Sequence, residues 1–225
     1  PYTRVSMLFR PLDWREAGFR YTDIGNRLYG ATMAGDQSYK DKSIDLKVRL
    51  REETHLWPQV AVGVRDLGGT GLFSAEYLVA SKRWGNWDAS LGLGWGYLGT
   101  SGNVKNPLGA LGSEFNTRTG NLNASGGTAN FQSMFHGPAA LFGGVQWHAP
   151  NSPWLVKLEL DGNDYQHEPL NNNQTARSPF NLGAVYSYSP NIDFSVGVER
   201  GSRWMLGFTM HGALNKLQTP KLLDP

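Results

Sequence analysis

Hydrophobic and polar residues alternate with a period of two along most of this chain. From Ser43 to Arg51 the even positions Ile44, Leu46, Val48 and Leu50 are aliphatic and the odd ones are polar. A helix would scatter these four around its circumference, whereas a strand sets them on one face. The pattern recurs from Trp87 to Tyr97 and from Trp154 to Asp161. It returns from Ile192 to Arg200, where Phe194, Val196 and Val198 oppose Asp193, Ser195, Gly197 and Glu199. Eleven strands are predicted, near 4–10, 14–23, 42–52, 58–66, 71–82, 86–98, 139–148, 153–161, 181–189, 192–200 and 203–211. No segment carries an amphipathic helical pattern. The stretch 99–138, rich in Gly, Asn, Ser and Thr, reads as one long loop.

The connections differ in length. Those after the odd-numbered strands are short, while those after strands 2, 6 and 8 span 24–41, 99–138 and 162–180. All three long loops fall at one end of an up-and-down meander, the asymmetry of an outer-membrane barrel. Alternation alone fits two opposite architectures. In a soluble sandwich the apolar face is the core; in a membrane barrel it meets lipid and the polar face lines the interior. The loop asymmetry and the dense charge on the polar face favour the barrel. So do aromatics of the apolar parity near strand ends: Tyr21, Phe73, Trp87, Trp95, Tyr97, Trp147, Trp154, Tyr188 and Trp204. Indole and phenol rings suit the water–lipid boundary, so two membrane girdles are expected.

The expected fold is all-β, an antiparallel up-and-down transmembrane β-barrel of about 12 strands over residues 1–213, with a linker or tail at 214–225. Eleven is an odd number, and single-chain bacterial barrels normally have an even one, so one strand is expected to be missing or unrecognised. The chain opens strand-like at Pro1-Tyr2-Thr3-Arg4 with no signal peptide. That fits a mature form or a piece of a longer protein.

Composition narrows the chemistry. Among 225 residues, 21 Lys and Arg face 19 Asp and Glu, a net charge of +2 with no basic run, which makes no case for nucleic acid. The absence of cysteine excludes a disulfide framework and any thiolate metal site. No apolar run approaches the roughly 20 residues of a membrane-spanning helix. The mean hydropathy of −0.42 would read as soluble, but alternating strands average out.

Polar-face candidates for the interior are Arg20, Lys47, Arg49, Arg65, Glu76, Lys157, Glu159 and Glu199, with Glu16, Asp45, Arg51, Lys82, Asp88, Asp161 and Asp193 beside them. They would either contact a passing glycan or neutralise one another as structural bridges, and the even mixture of signs favours the second. Gly92, Gly94 and Gly96 form a bare stripe that leaves room for a tucked loop or a polymer, or that serves tight curvature. The segment Asp161 to Pro169 concentrates oxygen ligands but lacks calcium-loop spacing, so a hydrogen-bonded turn is expected. His148, His167 and His211 lack zinc spacing. Glu159 and Asp161 resemble a glycosidase pair only as far as any i,i+2 carboxylates do. No catalytic residue, metal or cofactor is expected.

Several segments resemble the YjbH/GfcD family. They are Gly18 to Ile24, Asn26 to Gly30, Tyr39 to Asp45, Val64 to Phe73, Glu76 to Lys82 and Asp161 to Gln166, and the likeness runs on through Gly201 to the Pro220-Lys221 tail. The resemblance implies a Gram-negative outer-membrane protein encoded with exopolysaccharide or capsule genes and tied to biofilm polymer. Family members are longer, often lipoproteins, with two barrel-like regions, of which this chain would be the first. It implies no enzymatic activity. The partners it implies are membrane lipid, polysaccharide and other exopolysaccharide-secretion proteins. The expected role is exopolysaccharide or capsule export or assembly. A porin-like channel and a soluble glycan-binding β-domain are the alternatives.

Overall fold

The computed structural model describes residues 2–30, 35–119 and 131–211. Within them, eleven strands form one antiparallel sheet in sequence order. They are β1 (Tyr2–Leu12), β2 (Arg15–Leu28), β3 (Ser38–Arg51), β4 (Gln59–Leu67), β5 (Ala75–Trp84) and β6 (Trp87–Gly96). After the long connection come β7 (Ala139–His148), β8 (Trp154–Leu160), β9 (Phe180–Ser189), β10 (Ile192–Glu199) and β11 (Arg203–Met210). Each strand pairs with its neighbours in the chain, so the connections alternate between a short-turn end and a loop end. Among the described residues no ladder joins β1 to β11. The hydrogen-bonded architecture is therefore an open eleven-stranded meander rather than a closed ring of about 12 strands.

The sheet is strongly curled. Adjacent strands lie about 4.8 Å apart, so a flat sheet would hold β1 and β7 roughly 29 Å from each other. Yet Leu8 of β1 and Phe142 of β7 line one cavity of about 380 Å³. Strand register sorts the side chains onto two faces. On the concave face, Glu16 sits opposite Lys47, Lys47 opposite Gly63, and Gly63 opposite Tyr77. On the convex face the neighbours are Leu78 and Leu93, Trp87 and Trp147, and Val156 and Trp147. That face is greasy and open, with Leu91 58% exposed, Leu182 57% and Leu206 84%.

The larger differences from the sequence reading lie in three places. Pairs Thr22/Asp41, Asp23/Lys40 and Ile24/Tyr39 extend the β2–β3 ladder, so the 24–41 loop shrinks to 29–37. Both segments are polar on two faces and gave no alternation to read. β5 begins at Ala75 rather than 71, because Asp66, Gly68 and Gly71 take positive φ in a turn. β6 stops at Gly96, whose φ of 62° turns the chain into a single 3-10 turn at Tyr97–Gly99.

The connection after β6 is an ordered flap where it is described. It carries further 3-10 turns at Pro107–Ala110, Ser113–Asn116 and Phe131–Ser133. Asn106 pins it: its side chain accepts from Leu108 N and Trp95 Nε1 and donates to the carbonyls of Phe115, Phe135 and Gly137. Arg118 holds Glu76 by two bonds of 2.8 and 2.9 Å and donates to Ser74 Oγ. Beyond the turn at Tyr97–Gly99, the flap lies over the convex-face residues Trp95 and Glu76 at the loop end. Residues 120–130 of this loop and the tail 214–225 lie outside the described residues.

Glu76 is nearly fully buried, so breaking its pair costs more than breaking a surface bridge. Replacing Arg118 with Ala leaves that carboxylate uncompensated. The expected loss is roughly 3 kcal/mol, localised as faster amide exchange over the flap and measurable by hydrogen exchange.

Candidate functional site

The concave face forms a charged trough. Near the β1–β5 side its cavity is lined by Glu16, Arg20, Asp45, Lys47, Arg65, Tyr77 and Phe142, among others. Strand geometry makes the pairs: Glu16 and Lys47 face each other across the β2–β3 ladder and bridge at 3.4 Å. Arg20 reaches diagonally to Asp45 as a second ion pair. Arg65 differs. Among the described residues no carboxylate lies within ion-pair distance of its guanidinium, and no hydrogen bond satisfies it.

A second stretch of trough, of about 370 Å³, lies over β8–β11 and is lined by Lys157, Glu159, Asn181, Asp193, Glu199 and His211, among others. His211 contacts Asp193 at 2.8 Å. Between the two stretches, Leu98 and Phe142 form an apolar waist that borders the first stretch and the adjoining space beside Asp88 and Glu159.

The loop end of the trough is closed by residues 161–179. Glu168, 4% exposed, is the centre of this closure. Its carboxylate accepts from Tyr2 OH at 2.6 Å, Tyr97 OH at 2.9 Å and Asn163 Nδ2 at 3.1 Å. Asn26 donates to Asn172 Oδ1, and Arg27 donates to the carbonyls of Leu170 and Asn171. The loop after β8 is thereby fastened to β1 and β2 on the far side of the curl. Phe73 packs edge-on between Tyr2 and Tyr97. Burial and the Glu168 carboxylate push the Tyr97 hydroxyl up to about 12. Burial and the bond to Asp161 likewise push Tyr165 above the ordinary tyrosine range.

The oxygen-rich segment after β8 is a hydrogen-bonded turn. Asp161 Oδ1 accepts from Asn163 N, Asn163 Oδ1 from Tyr165 N, and Asp164 Oδ1 from Gln166 N. The glycine stripe is filled from within the fold. Phe142 occupies the space beside Gly92, Leu98 that beside Gly94, and Arg118 that beside Gly96.

Of the expected interior residues, Arg20, Lys47 and Arg65 gather in the first stretch, and Lys157, Glu159 and Glu199 in the second. Arg49 shares their face but leans toward the short-turn end, where it meets Glu52. Glu76 does not belong with them. The register carries Leu46 to Val64, Glu76, Trp95 and Ala139 along the convex face. Lys82 has the same parity and reaches Glu53 at 3.3 Å. Their charge had outweighed the parity they share with Leu78.

The aromatic positions divide as well. Trp87, Trp147, Trp154 and Tyr188 line the convex face at the short-turn end, joined by Trp84, Tyr186, Phe194 and Phe208. At the loop end Tyr21, Phe180 and Trp204 share the convex face and are not covered by the flap, Phe180 with 52% and Trp204 with 78% exposure. Trp95 is covered by the flap at 4% exposure, and Phe73 and Tyr97 turn into the closure. The convex aromatics are therefore dense at the short-turn end and sparse at the loop end, unlike the two even girdles expected. Glu168, Asn106 and Arg118 were missed because they lie in loops without periodicity. Tyr77 was legible as the aromatic out of phase with Leu78.

A family model described as "Exopolysaccharide biosynthesis protein YbjH" matches residues 1–225. A protein of Escherichia coli (strain K12), named "Uncharacterized lipoprotein YjbH", is 50% identical over 219 residues. That match takes in 96% of this chain and 31% of the relative, so the chain spans under a third of that protein's length. No solved structure matches.

The raised Tyr97 hydroxyl has a pH consequence. In the folded chain the proton is held to about pH 12, against about 10 for a free tyrosine. The folded state thus binds the proton more tightly, and this contribution to stability is full below about pH 10 and lost as pH rises toward 12. Tyr97→Phe is expected to flatten the alkaline loss of stability over that window, as followed by thermal melts at stepped pH.

Proposed function

Because the chain belongs to the YjbH exopolysaccharide biosynthesis family, we propose that it forms an outer-membrane β-barrel domain acting in polysaccharide export or assembly. The observation that carries this reading is the inverted distribution of polarity. Aliphatic and aromatic side chains occupy the open convex face, while arginines, lysines and carboxylates occupy the curled interior. In water such a surface would expose an apolar area far beyond what soluble monomers carry. Against acyl chains the same face is solvated by its own kind, and the aromatic belt at the short-turn end sits at a boundary. No helix among the described residues is long and apolar enough to cross a membrane, which leaves crossing by strands untouched.

Closure belongs to the proposal. Backbone groups along an open edge cannot stay unpaired in a bilayer. The free edges of β1 and β11 are therefore joined, directly or by a further strand, in the functional assembly. The relative's lipoprotein description fits attachment to the same envelope. In this reading the domain guides polymer or partner proteins and catalyses no reaction. The salt-bridged trough with its closed loop end favours this over a general porin, because a lining whose charges pair and whose mouth is fastened shut passes few free solutes.

Reconstitution tests the proposal. Chain inserted into vesicles made with brominated phospholipid should lose much of the emission of Trp87, Trp154 and Trp204, assigned by single Trp→Phe replacements. Unchanged emission, together with a monodisperse chain in detergent-free buffer, would falsify the membrane reading.

A further inference from the structure

The strongest unassigned feature of the trough is the guanidinium of Arg65. It projects from β4 into the cavity of about 380 Å³. That volume lies in the lower part of the range of about 300–1,000 Å³ typical of small-ligand sites. The other charges of this cavity are matched: Lys47 by Glu16, Arg20 by Asp45. Arg65 is half-buried and has no such match among the described residues. Arg20 lines the same cavity, and Asp45, the carboxylate beside them there, already holds Arg20. A half-buried cation with no anion of its own is a ready partner for something negative.

The rest of the cavity has a consistent character. Tyr77 and Phe142 stand edge to face with ring centroids 6.1 Å apart, and both line it. The tip of the Tyr77 ring lies over Gly63, where any Cβ would collide with it. Gly18 adds a bare patch of backbone. Aromatic faces beside bare backbone suit the C–H faces of a sugar ring. A guanidinium with five free donors suits a planar carboxylate, which it grips with two parallel bonds.

We infer that Arg65, flanked by Tyr77 and Phe142, forms a subsite for a carboxylate-bearing sugar of an acidic polysaccharide. The inference rests on the export reading and narrows it to acidic polymers. The carboxylate supplies the charge the cavity lacks, Arg65 grips it, and the rings hold the sugar plane. A neutral sugar meets the same rings but leaves the guanidinium unmatched.

Isothermal titration of the full chain in detergent tests this with three probes: an oligogalacturonate, a neutral galacto-oligosaccharide of equal length, and inorganic phosphate. The oligogalacturonate is expected to bind at least tenfold tighter than the neutral oligomer, and phosphate only weakly. Arg65→Gln should weaken the acidic oligomer roughly tenfold to a hundredfold, the range for a hydrogen bond to a charged group. Binding of the neutral oligomer should stay unchanged. Arg65→Lys keeps the charge but not the fork, and should fall between the two. Tryptophan emission checks that each variant is folded, and the wild-type comparison of acidic with neutral oligomer stands even if a variant is not. Equal affinity for the two oligomers overturns the acidic subsite while leaving the export reading in place. Binding of neither overturns the subsite itself, and phosphate binding as tightly as the oligogalacturonate reduces it to a bare anion site. Failure to insert into vesicles, by contrast, would count against the export reading alone.

Discussion

Charges enclosed by a curled sheet call for partners within it, and much of this architecture follows from that requirement. Glu16 and Lys47 meet because β2 and β3 pair in one register only. A slip by one residue would turn Lys47 and Arg49 outward and bring Leu46 and Val48 in. Every polar residue of the concave face would then stand on the greasy one. The alternation that makes the strands thus also fixes their register, and the ion pairs act more as selectors of that register than as sources of net stability.

The two ends of the meander solve different problems. At the short-turn end, tight connections leave little to organise, and aromatic rings lie next to one another around the convex surface. At the loop end, long connections must satisfy many backbone and side-chain groups at once. The segment 161–179 does so with Glu168, and the described part of the β6–β7 loop with Asn106 and Arg118. Glu168 is buried and Asn106 and Arg118 are half-buried, and each bonds to several segments that are separate in the chain. Such hubs are cooperative: losing one orphans several donors together. They also explain the thinness of the aromatic belt here, because Trp95 and Tyr97 are drawn into the hubs.

Strand number, order and facing were legible in the sequence because they rest on period two, the strongest local signal a chain carries. Ser43 to Arg51 and Trp154 to Leu160 needed no tertiary knowledge. Polar extensions such as Asp23–Leu28 and Ser38–Asp41 were not legible, since cross-strand pairing rather than side-chain pattern holds them. The placement of Glu76 shows how the method fails. A charged residue at an apolar-parity position looks like an interior residue, until a loop far along the chain supplies Arg118 as its partner. The trough itself was foreseeable as a set of residues. Its division by Leu98 and Phe142 was not, because Leu98 belongs to a turn that departs from the strand rhythm.

The sheet edges carry the remaining inference about architecture. Soluble proteins blunt exposed edges with inward charges, prolines or short strands. β1 does little of this: Val5, Met7, Leu8 and Phe9 are all more than half exposed along an eleven-residue strand. β11 is similar, with Trp204, Leu206, Phe208 and Met210 open. Left free in water, two such edges on one curled sheet would seek each other or a neighbouring chain. An apolar convex face and unprotected edges both fit the proposed closure inside a bilayer, where closure would satisfy the edge and lipid the face. Curvature, polarity and edge chemistry then have one common cause, and an account that keeps the chain as a free soluble sheet must explain each of them separately.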